Sequence, residues 1–271
     1  MSARQIDLRG GRRLGLTGLG DPLARRLVIL FHPMPGSGDF DPDPAVTRHW
    51  GVHVLGFDRP GYGSSDPVSS STEARFTLFA DDLHTYLSRA EMIARTDEAT
   101  DFGAVGVVGW GVGGLAAAAF AARHPQAVDR LVLIDTPYRP QLSRYPERSG
   151  MTDLCVTGDE PTGPAGAAHR VARMLESSRS QRSAGTEFDR RAVRRFPYCE
   201  LRHITADTIL IYGTEHPLVS ASADGHPLSR RIRGSRVIRA SGSRALAISA
   251  HWERVLAHVA PHHGDVPASL R

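Results

Sequence analysis

The chain has 271 residues, 41% hydrophobic and 23% charged, a balance that excludes a disordered or fibrous protein and allows one large α/β domain or a domain carrying an insertion. All 33 basic residues are Arg, and the chain holds neither Lys nor Asn, the mark of a GC-rich coding bias; a formal charge of +4 without a recognisable motif argues against nucleic acid as a partner. Two cysteines, Cys155 and Cys199, exclude a disulfide framework and a cysteine-based metal site. No run approaches the roughly 18–20 apolar residues of a membrane span, and the polar residues 1–20 are no signal peptide, so a cytoplasmic protein without membrane association is expected.

In chain order, residues 5–8 and 12–19 suggest an antiparallel hairpin. Residues 27–31 (LVILF), 52–57 (VHVLGF), 104–109 (AVGVVG), 131–135 (LVLID) and 208–212 (TILIY) are short, near-continuous apolar runs, as strands buried on both faces of a parallel sheet require. Residues 236–240 read as an edge strand. Phe76, Phe79, Ala80, Leu83, Leu87 and Ala90 recur at helical spacing, and Ser70 with Glu73 has the pattern of a capping box opening that helix. Residues 114–123 (GLAAAAFAAR) form a helix stopped by Pro125 after His124. The βαβαβ alternation gives a doubly wound, mostly parallel sheet of about eight strands.

Regularity breaks over residues 138–203. The stretch has no strong strand, a low-order span at 158–166 and a Ser/Arg run at 177–183, and residues 139–203 hold 12 Arg against 8 acidic residues, the whole +4 surplus. Some 65 residues is too long for a structureless connection. A helical lid (138–203), inserted after the sixth strand between core segments 1–137 and 204–271, is expected. Its arginines read as a solvated helical face, with a partner surface as the alternative.

Three motifs follow three successive core strands. They are His32-Pro33-Met34-Pro35-Gly36-Ser37-Gly38, then Asp58-Arg59-Pro60-Gly61-Tyr62-Gly63-Ser64-Ser65, then Gly109-Trp110-Gly111-Val112-Gly113-Gly114. Together they resemble the α/β-hydrolase superfamily, in particular its capped esterases, epoxide hydrolases, haloalkane dehalogenases and C–C bond hydrolases. The resemblance implies that the third motif is a nucleophile elbow, G-x-S-x-G. Here the nucleophile position is Gly111, which has no side chain to attack with. The resemblance places the acid after the next-to-last strand, where Gly213-Thr214-Glu215-His216 puts His216 in its position. It places the catalytic histidine after the last strand, where Ala240-Ser241-Gly242-Ser243-Arg244 offers Ser243. His251 lies far along the final helix. All three triad positions, Gly111, His216 and Ser243, are therefore degenerate.

The resemblance assigns the oxyanion-holding N–H groups to Met34 and Val112. The same glycines are also explained by tight helix–sheet packing alone. His32 and His216 are the candidate acid–base groups, each with a structural alternative. Trp110, Phe31, Met34, Phe40 and Tyr138 are expected to line an apolar cavity under the lid, and Asp135 either pairs with His216 or Arg244 or caps the turn at Thr136. The glycine spacing is no dinucleotide fingerprint, so no cofactor is expected, and His262-His263 is no metal constellation. A small apolar organic molecule is the expected partner, and the oligomeric state is left open. Three functions stay open: a non-hydrolytic lyase, isomerase or cyclase acting on a carbonyl-bearing molecule; an inactive relative that binds a small molecule; or a hydrolase using an unplaced serine such as Ser37 or Ser243.

Overall fold

The computed structural model describes residues 3–8, 10–69, 71–94, 103–138 and 163–261, with only the backbone of residues 3 and 90–94. Eight strands form one sheet: β1 (Ala3–Asp7), β2 (Arg13–Gly20), β3 (Leu27–Phe31), β4 (His53–Phe57), β5 (Val105–Trp110), β6 (Val128–Ile134), β7 (Asp207–Gly213) and β8 (Arg236–Ala240). Their spatial order is β1-β2-β4-β3-β5-β6-β7-β8. The pairs β1–β2 and β2–β4 are antiparallel and all others parallel. The expected hairpin, central apolar strands and edge strand are all present.

Strand register positions the site. Phe31 pairs with Gly109, Trp110 with Ile134, Ile134 with Ile211 and Gly213 with Ala240. The carboxyl ends of β3, β5, β6, β7 and β8 are thus level, and the loops leaving them gather at one edge, where open α/β sheets bind ligands.

Helices cover both faces. α2 (Phe76–Ala94) and α3 (Gly113–Arg123) lie over one, in a cluster with Phe31, Phe57 and Leu133. α1 (Pro44–Trp50) and the final helix, labelled α8 below (Trp252–Val259), lie over the other with Phe40, Trp110 and Ile134. α1 opens on Asp43, whose carboxylate accepts from the N–H groups of Ala45 and Val46, and closes on Gly51 at φ 60°.

Two expectations are corrected here. The capping-box pattern at Ser70 and Glu73 does not start α2: Ser70 lies outside the described residues, and the helix begins at Phe76. Glu73 is instead paired with Arg75 (2.6 Å) and Arg195 (2.9 Å). Nor do Phe31, Phe40 and Trp110 line one cavity. Because Phe31 pairs with Gly109, the next residue on β5, Trp110, faces the opposite side of the sheet. Phe31 packs edge-on against Phe79, with ring centroids 5.8 Å apart, while Phe40 lies 5.3 Å from Trp110.

Between β6 and β7 the described chain forms α4 (Ala167–Ser178), α5 (Ala184–Arg194) and a 3₁₀ turn, Tyr198–His203. α4 buries Val171 and Met174 in the Trp110 cluster, whereas α5 buries Phe188, Ala192 and Val193 in the Phe31 cluster. The arginines of α4 are not all solvated. Arg170 donates to the carbonyls of Asp41 (2.8 Å) and Pro42 (2.9 Å), and Arg173 to that of Asp39 (2.7 Å), fastening α4 to the loop after β3. Residues 139–162, with Cys155 and part of the 158–166 span, lie outside the described residues, as do His262 and His263. Short helices α6 (His226–Ser229) and α7 (Ala247–Ala250) precede α8. No helix among the described residues is long and apolar enough to cross a membrane.

Candidate active site at the elbow

The turn from β5 into α3 keeps the elbow geometry. Gly111 sits at φ 57°, in the left-handed region, and donates its N–H to the Ile134 carbonyl at 2.9 Å. The helix starts at once: Gly114 N–H reaches the Gly111 carbonyl (3.0 Å) and Leu115 N–H that of Val112 (3.0 Å). The flanking glycines are forced by packing. A Cβ at Gly113 would fall on the His32 carbonyl, and one at Gly114 on the Thr136 hydroxyl. The turn therefore presents position 111 at the sheet edge, and what it presents is a hydrogen atom. Met34 and Val112, the candidate oxyanion donors, are buried together in the cluster beneath α3.

His32 is fully committed. Its Nδ1 bonds the Pro33 carbonyl at 2.8 Å, and its Nε2 accepts the Arg59 N–H at 3.1 Å. This pattern needs the neutral imidazole with its proton on Nδ1. Burial, then the nearby Arg59 charge, holds its pKa well below the ordinary 6.5. Arg59 extends the network. Its guanidinium donates twice to Asp189 (2.9 and 2.6 Å) and to the carbonyls of His32 and Pro33, while the Tyr62 hydroxyl also donates to Asp189 (2.9 Å). The Arg59–Asp189 pair is 0% exposed on both sides and ties α5 to the loops after β3 and β4. Sequence reasoning missed Asp189. A signal existed: it is an acid set among Phe188, Ala192 and Val193 on the apolar face of α5.

His216 folds back on its own loop. Its Nδ1 accepts the N–H groups of Leu218 and Val219, each at 3.2 Å, which puts the proton of the neutral ring on Nε2. Asp135, buried at φ 47°, accepts from Gly213 N–H (2.9 Å) and so caps the end of β7. The Arg244 guanidinium lies 3.4 Å from Glu215. Tyr138 receives Arg231 on its hydroxyl at 2.9 Å and gives its N–H to Asp224 at 2.9 Å. Ser37 donates to Asp39 and to the Met174 carbonyl (3.1 Å).

His251, set aside in the sequence as too distant, is the main correction. The final helical region breaks at this residue, between α7 and α8, and its Nε2 stands 3.0 Å from Ser243 Oγ. Trp110 adds a different observation. Of the three indoles, Trp50 donates to the Ala260 carbonyl (3.3 Å) and Trp252 to Thr47 Oγ1 (2.9 Å), but the buried Trp110 Nε1 has no acceptor among the described residues. The buried Ser249 hydroxyl on α7 also has no partner among them. No group of three or more His, Cys, Asp or Glu among the described residues is placed to hold a metal ion.

The comparisons agree with this geometry. A family model described as alpha/beta hydrolase fold matches residues 26–154. A hydrolase from Pseudomonas aeruginosa PA01 superposes with a TM-score of 0.69 at 20% identity, covering 94% of this chain and 97% of its own. A bromoperoxidase from Bacillus anthracis gives 0.67 at 17% identity, covering 94% and 98%. The chain has the α/β-hydrolase fold. The chain is also similar to the polyketide synthase ThaQ of Burkholderia thailandensis, 27% identical over 273 aligned positions. That match takes in 93% of this chain but only 12% of the length of the synthase.

Proposed function

We propose that this chain is a non-hydrolytic α/β-hydrolase-fold protein, of lyase, isomerase or cyclase type, acting on a small, mostly apolar, carbonyl-bearing molecule under a lid formed by the β6–β7 insertion. Gly111 carries the proposal: the elbow is built in full and holds no atom able to attack a carbonyl. The likeness to a polyketide synthase supports the substrate class, since a polyketide is a chain bearing carbonyl groups. In this role water takes the α-proton, the Met34 and Val112 N–H groups hold the developing enolate oxygen, and His216, with its proton on Nε2, donates to that oxygen. His32 serves the loop and takes no part in proton transfer, because both its nitrogens are engaged.

The test uses 2-nonanone as a probe, with α-hydrogen exchange in D₂O followed by NMR. The protein accelerates exchange, and His216→Ala slows it by about 100-fold. Equal exchange with and without protein contradicts the enzyme role. Saturable binding of the ketone without exchange supports the second reading, an inactive relative that only binds. The Arg59–Asp189 pair favours that alternative, because it fixes the insertion to the core through a buried ionic contact.

A further inference from the structure

Outside the elbow, one hydroxyl–imidazole pair among the described residues is placed for nucleophilic chemistry. Ser243 lies in the turn that closes β8, with its hydroxyl 3.0 Å from His251 Nε2. We propose that Ser243 is an acyl-accepting nucleophile and His251 its base. This goes beyond the non-hydrolytic role above, which has no covalent step at the elbow.

Backbone contacts fix the hydroxyl in place. The Ser243 carbonyl accepts the Glu215 N–H at 3.1 Å, and a Cβ on Gly213 would strike that carbonyl, so the loops after β7 and β8 lock against each other. His251 is half-buried at a helix break, where its ring reaches back eight residues to Ser243. An Nε2 that accepts the hydroxyl proton leaves the ring proton on Nδ1, the tautomer a general base needs. Burial, then Arg254, keeps the ring neutral below the ordinary imidazole range. The same short helix holds Ser249, a second buried hydroxyl with no partner among the described residues. By contrast Ser37 faces a carboxylate and a carbonyl, with no imidazole bonded to it.

The step balances with an acceptor alcohol or thiol as its one co-reactant. Ser243 Oγ attacks the carbonyl carbon of an ester or thioester while its proton passes to His251 Nε2. The C–O or C–S bond then breaks, and the leaving alcohol or thiol takes the proton from the imidazolium. The acyl group remains on Ser243 as an ester until a second alcohol or thiol, deprotonated by the same imidazole, attacks its carbonyl carbon; the Ser243 C–O bond breaks, Ser243 Oγ takes back the proton, and the acyl group leaves on the acceptor.

The full chain is treated with an alkyl fluorophosphonate, and the adduct is located by peptide mapping. One adduct on Ser243 is expected, absent in Ser243→Ala, with His251→Gln slowing its formation by about 100-fold. No adduct, an adduct on another serine, or an unchanged rate in His251→Gln overturns the proposal. If His251→Gln does not melt as a folded protein, the wild-type pH profile decides: the rate must fall as pH drops below the ordinary imidazole range, and a flat profile overturns the assignment.

Discussion

Position 111 joins a backbone conformation that side chains resist to the place where the superfamily holds its nucleophile. Gly111→Ala puts a Cβ on a residue at φ 57° and should cost about 1–2 kcal/mol by urea denaturation. Gly114→Ala should cost at least as much, about 1–3 kcal/mol, because its Cβ meets the Thr136 side chain inside a packed helix–sheet contact. Gly111→Ser restores a hydroxyl but no histidine at 243, so the turnover of p-nitrophenyl esters should remain that of wild type; a large gain would show that another base serves the elbow.

His32 makes stability depend on pH. Above its ordinary value of 6.5 the ring is neutral in both folded and unfolded chains, and its network is at full strength. As pH falls through that value the unfolded chain takes up a proton that the folded chain refuses, so stability declines until the depressed folded pKa is reached. His53, His124, His251 and His258 are also lowered, chiefly by burial, and act in the same direction. Asp41, Asp58 and Asp82, raised by burial above the ordinary 3.8, act in the opposite direction at lower pH. Melting curves between about pH 7 and pH 5 should therefore fall less steeply for His32→Gln than for wild type. Parallel slopes would remove His32 from the account.

At the scale of elements, the segment between β6 and β7 is held by charge as well as by apolar contact. Asp189→Ala removes the carboxylate facing a buried guanidinium and should cost about 3–5 kcal/mol. Amide exchange should quicken first in α5, while β3 and β5 stay protected. Uniform loss of protection would mean that the pair supports the whole core. The existence of α4 and α5 was legible as a long non-strand stretch with helical composition, but their attachment was not. Arg59 and Asp189 are 130 residues apart, and only the fold makes them neighbours. The opposite faces of Phe31 and Trp110 follow from strand alternation, but only once the register Phe31–Gly109 is known. His251 was hidden by the assumption of one continuous helix, which the structure breaks at that residue.

At the scale of the molecule, the sheet and the elbow were legible because they rest on local signals: apolar runs, glycine turns and three loop motifs in order. The ligand chemistry was not, because it depends on which polar atoms the packing leaves without partners. Among the described residues Trp110 Nε1 is such an atom, buried beside Phe40 in the cluster that also holds Val171 and Met174 of α4. It faces the opposite side of the sheet from the Met34 and Val112 cluster, which takes the carbonyl in the proposed role.

The most direct measurement is an NMR titration of the backbone N–H signals of Met34 and Val112 with 2-nonanone. The account predicts that both signals move downfield and saturate, while the indole signals of Trp50 and Trp252, already bonded to Ala260 and Thr47, stay in place. Met34 and Val112 signals that do not respond, or respond no more than the two indoles, would contradict it.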